Sequence, residues 1–153
     1  MNASFGAGRS SFNPIMEKNT IAFHKQVQNL HLSTLDFKLF DISNFGENDF
    51  IYADPPYTIS YAPYNKEAKK AYREWDYDDD YHLFNFLDNA GKLKIKWALS
   101  NMIKHKNKIN IPLEEWINDN HYTVYNIKSD YTYSSYNSKI STDPTVEVVI
   151  TNY

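Results

Sequence analysis

Residues 54 to 57 read Asp54-Pro55-Pro56-Tyr57 and follow directly on the apolar run Phe50-Ile51-Tyr52-Ala53. Each of the four residues has a use in chemistry on a planar amine. The prolines stiffen the backbone and, lacking N–H groups, leave the carbonyls of Asp54 and Pro55 without local amide partners. A carboxylate together with a rigid carbonyl accepts both hydrogens of a flat amino group, such as N6 of adenine or N4 of cytosine. Tyr57 adds a face on which the heterocycle can stack. Such an amine is a poor nucleophile, because its lone pair is spread into the ring. Two fixed acceptors favour a more tetrahedral nitrogen and stabilise the charge that develops on attack. Alignment with an electrophilic methyl group supplies the rest. The same letters fit a plain turn in which Asp54 bonds nearby backbone amides. Place favours the chemical reading: sites on open α/β sheets lie at the carboxyl ends of strands, and Asp54 falls at such an end.

Several elements must position this segment. Residues 1 to 14 read as a loop, and 19 to 30 as a short helix capped by Asn19 or Thr20. A strand is expected near Leu32 to Phe37, a turn over 44 to 49, and a short buried strand over 50 to 53 that the prolines end. Residues 58 to 64 read as loop and 66 to 75 as helical with a charged, solvated face. The strongest helix spans 76 to 93: its aspartates suit a helix N-terminus, Leu83, Phe84 and Leu87 share one face, and Gly91 is its expected stop. A second buried strand covers 95 to 101, and a helix with Pro112 in its first turn covers 112 to 120. Two β-rich runs, 122 to 129 and 145 to 153, close the chain. This order predicts an α/β fold whose sheet is mostly parallel and ends in a C-terminal antiparallel hairpin.

The 153 residues suffice for one domain with a real core, and 42% of them are hydrophobic. The formal charge of -3 neither announces nor excludes nucleic acid, since a basic face can sit on an acidic domain. With no cysteine there are no disulfides or thiolate metal sites. No apolar run approaches the ~18 residues of a membrane span, and the N-terminus lacks a signal-peptide pattern, so a cytoplasmic protein is the default. The 13 tyrosines serve equally as core bodies with polar tips or as stacking platforms.

The Asp-Pro-Pro-Tyr stretch resembles the catalytic motif of amino-methyltransferases that use S-adenosylmethionine. The wider pattern is similar to the Dam-type (alpha-group) DNA adenine-N6 methyltransferases. "LDF" at 35 to 37, "NDFIYADPPY" at 48 to 57, Trp75 before an acidic helix start, "IKWALSN" at 95 to 101, "LEEW" at 113 to 116 and the terminal "TVEVVITNY" match in order across nearly the whole chain. The resemblance implies a Rossmann-like sheet, S-adenosylmethionine as methyl donor and a flipped adenine in double-stranded DNA as acceptor. By position, Asp54, Pro55, Pro56 and Tyr57 form the catalytic motif: Asp54 and the Pro55 carbonyl hold the amine and Tyr57 stacks on the base. Asp54 also lies beside the cofactor, with Asp36 and Phe37 near its adenine. An ordinary strand end accounts for Asp36 and Phe37 equally well.

The family also carries a glycine-rich cofactor loop after a first strand. "SFGAG" at 4 to 8 has the wrong glycine offset and no strand before it, while "GRSSFN" at 8 to 13 resembles the return from the target-recognition region. The expectation is therefore a C-terminal catalytic portion, with residues 1–19 a remnant of the recognition region and 20–153 catalytic. This chain alone is then expected to be weak or inactive, with a separate chain supplying the glycine loop. The alternatives are a non-catalytic DNA- or partner-binding subunit and an amino-methyltransferase acting on another planar amine, such as cytosine N4, RNA or a glutamine amide.

Ser100 and Asn101 end a strand on the same edge as Asp54, as a polar turn or as part of the target pocket. Tyr131, Tyr133, Tyr136 and Lys139 belong either to a DNA-facing loop or to a solvated hairpin. Lys66, Lys69, Lys70, Arg73 and the basic run 104 to 108 are phosphate contacts or ordinary surface, and Arg9 is a further candidate for DNA. Asp76, Asp78, Asp79 and Asp80 lack the spacing of a calcium loop, and the histidines lack paired ligand spacing, so no metal is expected.

Overall fold

In the computed structural model, which describes residues 13–60, 75–127 and 145–153, the chain divides after Leu35 into two units, Met1–Leu35 and Asp36–Tyr153. In the first, helix α1 spans Pro14–Gln26 and runs into a 3-10 turn over Val27–Asn29. It starts well before the expected Asn19 or Thr20 because Asn13-Pro14 is itself a start signal. The Asn13 side chain accepts from Met16 N at 2.9 Å, and Pro14 occupies a first-turn position that needs no N–H donor.

The second unit is a mixed sheet with two helices packed on it. Its elements are β1 (Phe50–Ala53), α2 (Tyr77–Lys92), β2 (Lys96–His105), β3 (Lys108–Ile109), α3 (Ile111–Asn120), β4 (Thr123–Ile127) and β5 (Val146–Thr151). The strand order is β1-β2-β5-β4, with β3 hairpinned onto β2. Only β1 and β2 pair in parallel among the described residues. The other pairings, β2 with β3, β2 with β5 and β5 with β4, are antiparallel. The C-terminal hairpin is as expected, but the sheet is not mostly parallel. The terminal strand enters between β2 and β4, running against both. A strand-helix-strand reading of the sequence cannot foresee that insertion.

Between the units' ends and β1, the expected strand at 32 to 37 is replaced by a 3-10 turn over Phe37–Leu39. Asp36 caps it, its carboxylate accepting from Lys38 N at 2.9 Å. This local bond draws the backbone away from a ladder. The turn before β1 follows expectation, with Asp49 N donating to Gly46 O and Gly46 N to the Asp49 carboxylate.

Helix α2 opens with a reciprocal capping box between Asp76 and Asp79, and the acids of its first turn complement the helix dipole. Its inward face, Leu83, Phe84, Leu87 and Ala90, packs on Trp97 and Leu99 of β2, Val148 and Ile150 of β5, and Leu113, Trp116 and Ile117 of α3. Aromatic rings meet within this largely aliphatic core: Phe84 and Trp116 stack at 4.4 Å, and Trp97 and Tyr122 meet edge-on at 4.7 Å. Each fully buried large side chain contributes ~1.5–3 kcal/mol. Gly91 sits inside the last turn of α2 rather than ending it. The left-handed position falls at Lys94, φ 62°.

Candidate active site

The parallel register of β1 and β2 ends at Ala53 opposite Leu99, so Asp54 and Ser100 lie side by side just past it. Ser100 and Asn101 do not end a strand as expected, because pairing with β5 carries β2 on to His105. The prolines stop β1 there, since neither offers an N–H to extend the ladder. The chain bends back and carries the half-buried Tyr57 to β2, where its hydroxyl lies 2.7 Å from Ser100 Oγ. A longer bond, 3.4 Å, runs from the same hydroxyl to the Asp54 carboxylate, which is exposed. Burial, and to a lesser degree the negative charges of Asp54 and Glu147, push the Tyr57 phenol above its ordinary range. The ring is therefore neutral at physiological pH and its hydroxyl keeps a proton to donate.

The next residues fasten this segment to α2. Thr58 donates from Oγ1 to Asp80 Oδ2 at 2.6 Å, and Ile59 is buried. The other Asp80 oxygen accepts the indole N–H of Trp75 at 2.8 Å. Asp80 has no exposed surface, and this burial raises its carboxyl pKa against the opposing pull of the Thr58 and Trp75 hydrogen bonds. Trp75 in turn packs on Phe37, ring centroids 5.8 Å apart. Lys38 reaches across to Asp79 at 3.0 Å.

Around these contacts lies a cavity of about 430 Å³ lined by Asp36, Phe37, Lys38, Pro56, Trp75 and Asp79. A larger one, about 510 Å³, lies at the far end of α2 against Asp88, Gly91, Lys92, Asn120, Tyr122 and Asn152. Sixteen residues of helix, ~24 Å, separate the ends of α2. Of these two, the smaller cavity is the candidate site: it borders the Asp54–Tyr57 segment, stands at the carboxyl end of the parallel pair, and combines aromatic walls with polar groups, as ligand sites do.

The structure thus brings together Asp54, Pro55, Pro56, Tyr57 and Ser100, with Asp36 and Phe37 lining the cavity that Pro56 borders. Asn101 stands apart: it is fully buried, its Oδ1 accepts from Met102 N at 2.7 Å, and its Nδ2 has no partner among the described residues. Tyr131, Tyr133, Tyr136 and Lys139 lie outside the described residues, as do Lys66, Lys69, Lys70, Arg73 and Arg9. The basic run 104 to 108 forms the tight β2–β3 hairpin, with Lys106 at φ 55°. Sequence reading missed Thr58, Lys38 and the inward role of Asp80. A signal for Asp80 was present: it is one helical turn before Phe84 and so shares the apolar face that Leu83, Phe84 and Leu87 define.

Modification methylase StsI of Streptococcus sanguinis is 38% identical over 99% of this chain, and the type II methyltransferase M.FokI of Planomicrobium okeanokoites is 31% identical over the same share. Modification methylase LlaI of Lactococcus lactis subsp. lactis is 28% identical over 95% of the chain. The chain spans less than a quarter of each relative, 23%, 23% and 22% of their lengths. The family model for D12 class N6 adenine-specific DNA methyltransferases matches residues 1–138, taking in the whole Asp54–Tyr57 segment and the helix and strand that hold it. With the motif set at the carboxyl edge of a parallel strand pair and most of its length under that match, the chain belongs to the D12 class of N6 adenine-specific DNA methyltransferases.

Proposed function

We propose that this chain carries the amine-gripping part of an S-adenosylmethionine-dependent methyltransferase that modifies N6 of an adenine extruded from double-stranded DNA. In this reading it works as a modification methylase, as its relatives are named. One observation carries the reading: Asp54, Tyr57 and Ser100 converge at the carboxyl end of β1, where its parallel pairing with β2 stops, next to a cavity that Asp36, Phe37 and Pro56 share.

The Asp54 carboxylate and the Pro55 carbonyl accept the two N6 hydrogens and hold the nitrogen in line for attack. Tyr57 stacks on the extruded base. Its hydroxyl is tethered to Ser100, which restrains the ring from its far end. Extrusion costs a few kcal/mol, and one aromatic stack returns ~1–3 kcal/mol of it. Asp54 is exposed, so the proton that leaves the nitrogen has a path to water.

The cavity fits the cofactor's heterocyclic half: its volume is within the ~300–1,000 Å³ of small-molecule sites, with the rings of Phe37 and Trp75 and the carboxylate of Asp36 in its walls. Asp36, Phe37 and Asp54 would hold S-adenosylmethionine, which supplies an electrophilic methyl group when bound. The glycine-rich loop comes, in this reading, from another part of a longer protein or from a separate chain, and completes a Rossmann-like sheet. Residues 1–19 belong to the target-recognition region and 20–153 to the catalytic domain.

The test is transfer of labelled methyl from S-adenosylmethionine to adenine-containing duplex DNA, by this chain completed with a glycine-loop segment. Asp54→Ala should lower the rate by ~10²-fold or more. Tyr57→Trp should retain more activity than Tyr57→Ala, and equal rates for those two would remove stacking from the mechanism. Label appearing in DNA that lacks adenine would exclude the N6 assignment.

A further inference from the structure

We propose that Asp80, which lies outside the Asp54–Tyr57 motif, is a positioning residue that fixes the amine-gripping segment relative to the Asp36–Phe37 turn. The geometry forms a chain of contacts. Thr58, directly after Tyr57 and 22 positions before Asp80, donates to Oδ2, and Trp75, 5 positions before it, donates to Oδ1. Trp75 then packs on Phe37, and Phe37 on Phe86 of α2, with ring centroids 5.8 and 6.0 Å apart. One carboxylate therefore joins both walls of the cavity to the first turn of α2.

A stabilising role alone does not account for this arrangement. A fully buried carboxylate that among the described residues is served by two neutral donors and no cation is worth less to stability than an apolar side chain of the same size. It is, however, a good spacer. Its two oxygens sit a fixed distance apart, each takes a different donor, and short charge-assisted hydrogen bonds hold direction better than apolar contacts do. The helix N-terminus makes the anion tolerable there. Because Thr58 adjoins Tyr57, whose other anchor is Ser100, the Tyr57 segment is held at two points.

The catalytic consequence rests on the proposed methyl transfer; the structural coupling does not, and the two are read separately. In the 153-residue chain, Thr58→Val and Asp80→Asn should shift the backbone amide resonances of residues 57–59 and also those of 36–39 and the Trp75 indole. The β4–β5 hairpin should be unmoved. Thr58→Ser, which keeps the donor, should restore the wild-type positions. Perturbation confined to the neighbours of the substituted residue, with 36–39 and Trp75 unchanged, would overturn the coupling. In the completed enzyme, Thr58→Val should lower kcat by about 10²-fold, the scale of a ~1 Å misplacement, with KM for S-adenosylmethionine and for DNA within about twofold of wild type. Thr58→Ser should recover kcat. An unchanged kcat in Thr58→Val would overturn the positioning role, whereas a wild-type enzyme that transfers nothing would overturn the proposed function and leave the resonance result to decide the coupling.

Discussion

Helix α2 carries two carboxylates about two turns apart that use the same kinds of donor for different ends. Asp88 accepts from the indole of Trp116 at 3.0 Å and the hydroxyl of Tyr122 at 2.7 Å, both on Oδ1. Asp80 accepts from the indole of Trp75 and the hydroxyl of Thr58, one on each oxygen. The donors of Asp88 belong to the ring stack of Phe84, Trp97, Trp116 and Tyr122, which packing already fixes. The donors of Asp80 come from the two segments that border the candidate site, and polar bonds are a large share of what holds them. Packing over-determines one end of the helix; hydrogen bonds set the other. Geometry near the site therefore depends on single atoms, while geometry in the core does not.

The largest effect should fall at the core end. Trp116→Ala removes a ring stacked on Phe84 and near Trp97, and should lower the unfolding free energy by ~3–5 kcal/mol in denaturant titration. A loss under ~1 kcal/mol would break the claim that packing fixes this end. Asp88→Ala should cost less, ~1–3 kcal/mol, by stranding the Trp116 and Tyr122 donors. Burial and the bond to Asp88 push the Tyr122 phenol well above its ordinary range, so it stays a donor throughout the neutral and mildly alkaline region. The amide resonances of residues 54–59 should not move in Asp88→Ala. If they did, the two ends of α2 would not be separable.

The Asp80 end sharpens the contrast through pH. Burial raises its folded carboxyl pKa above the ordinary 3.8, so the folded state binds this proton more tightly than the unfolded state does. Ionised Asp80 thus costs stability at neutral pH. That cost is relieved as pH falls through the raised value towards 3.8. Asp80→Asn has no such titration. Its stability relative to wild type should therefore be most favourable at neutral pH and decline as pH falls through this window. A difference that does not change with pH would mean that Asp80 ionises in the fold as it does in the open chain.

How much of this was legible follows the same division. The motif, its place at a strand end and the acidic start of α2 were readable because each depends on residues close in sequence, and the C-terminal antiparallel pair because two β-rich runs follow one another with no helical pattern between them. Asp54 and Tyr57 needed only four adjacent letters, and Asp76 with Asp79 only a capping spacing. The Asp80 bond to Thr58 spans 22 positions and the Tyr57 bond to Ser100 spans 43, and no local pattern encodes either. The mostly parallel sheet failed for the same reason: which neighbour β5 chooses is a long-range decision. The strand at 32 to 37 failed locally, because Asp36 bonding its own backbone outweighed β-propensity. Asn101 was read by adjacency to Ser100, although alternate residues of a strand face opposite sides. It points to the side that buries Trp97 and Leu99.

Gly91 offers the smallest test, and it bears on the core end alone. As the stop of α2 it would need a left-handed backbone that only glycine takes freely, and substitution would destabilise the fold. The structure places it within the helix, and the left-handed position belongs to Lys94. A Cβ added at Gly91 would lie 3.5 Å from Asn152 Nδ2 and 3.8 Å from Trp97 Nε1, which is ordinary contact. Asn152 is itself held, accepting from Trp97 N and donating to Ile95 O, so it has no cause to move. Gly91→Ala should therefore raise the unfolding free energy by ~0.4–1 kcal/mol, since alanine loses less backbone freedom on entering a helix. A loss of stability would place the helix end at Gly91 after all. A gain with the 54–59 resonances unchanged would show that this end of α2 can be tightened without touching the geometry that Asp80 sets at the other.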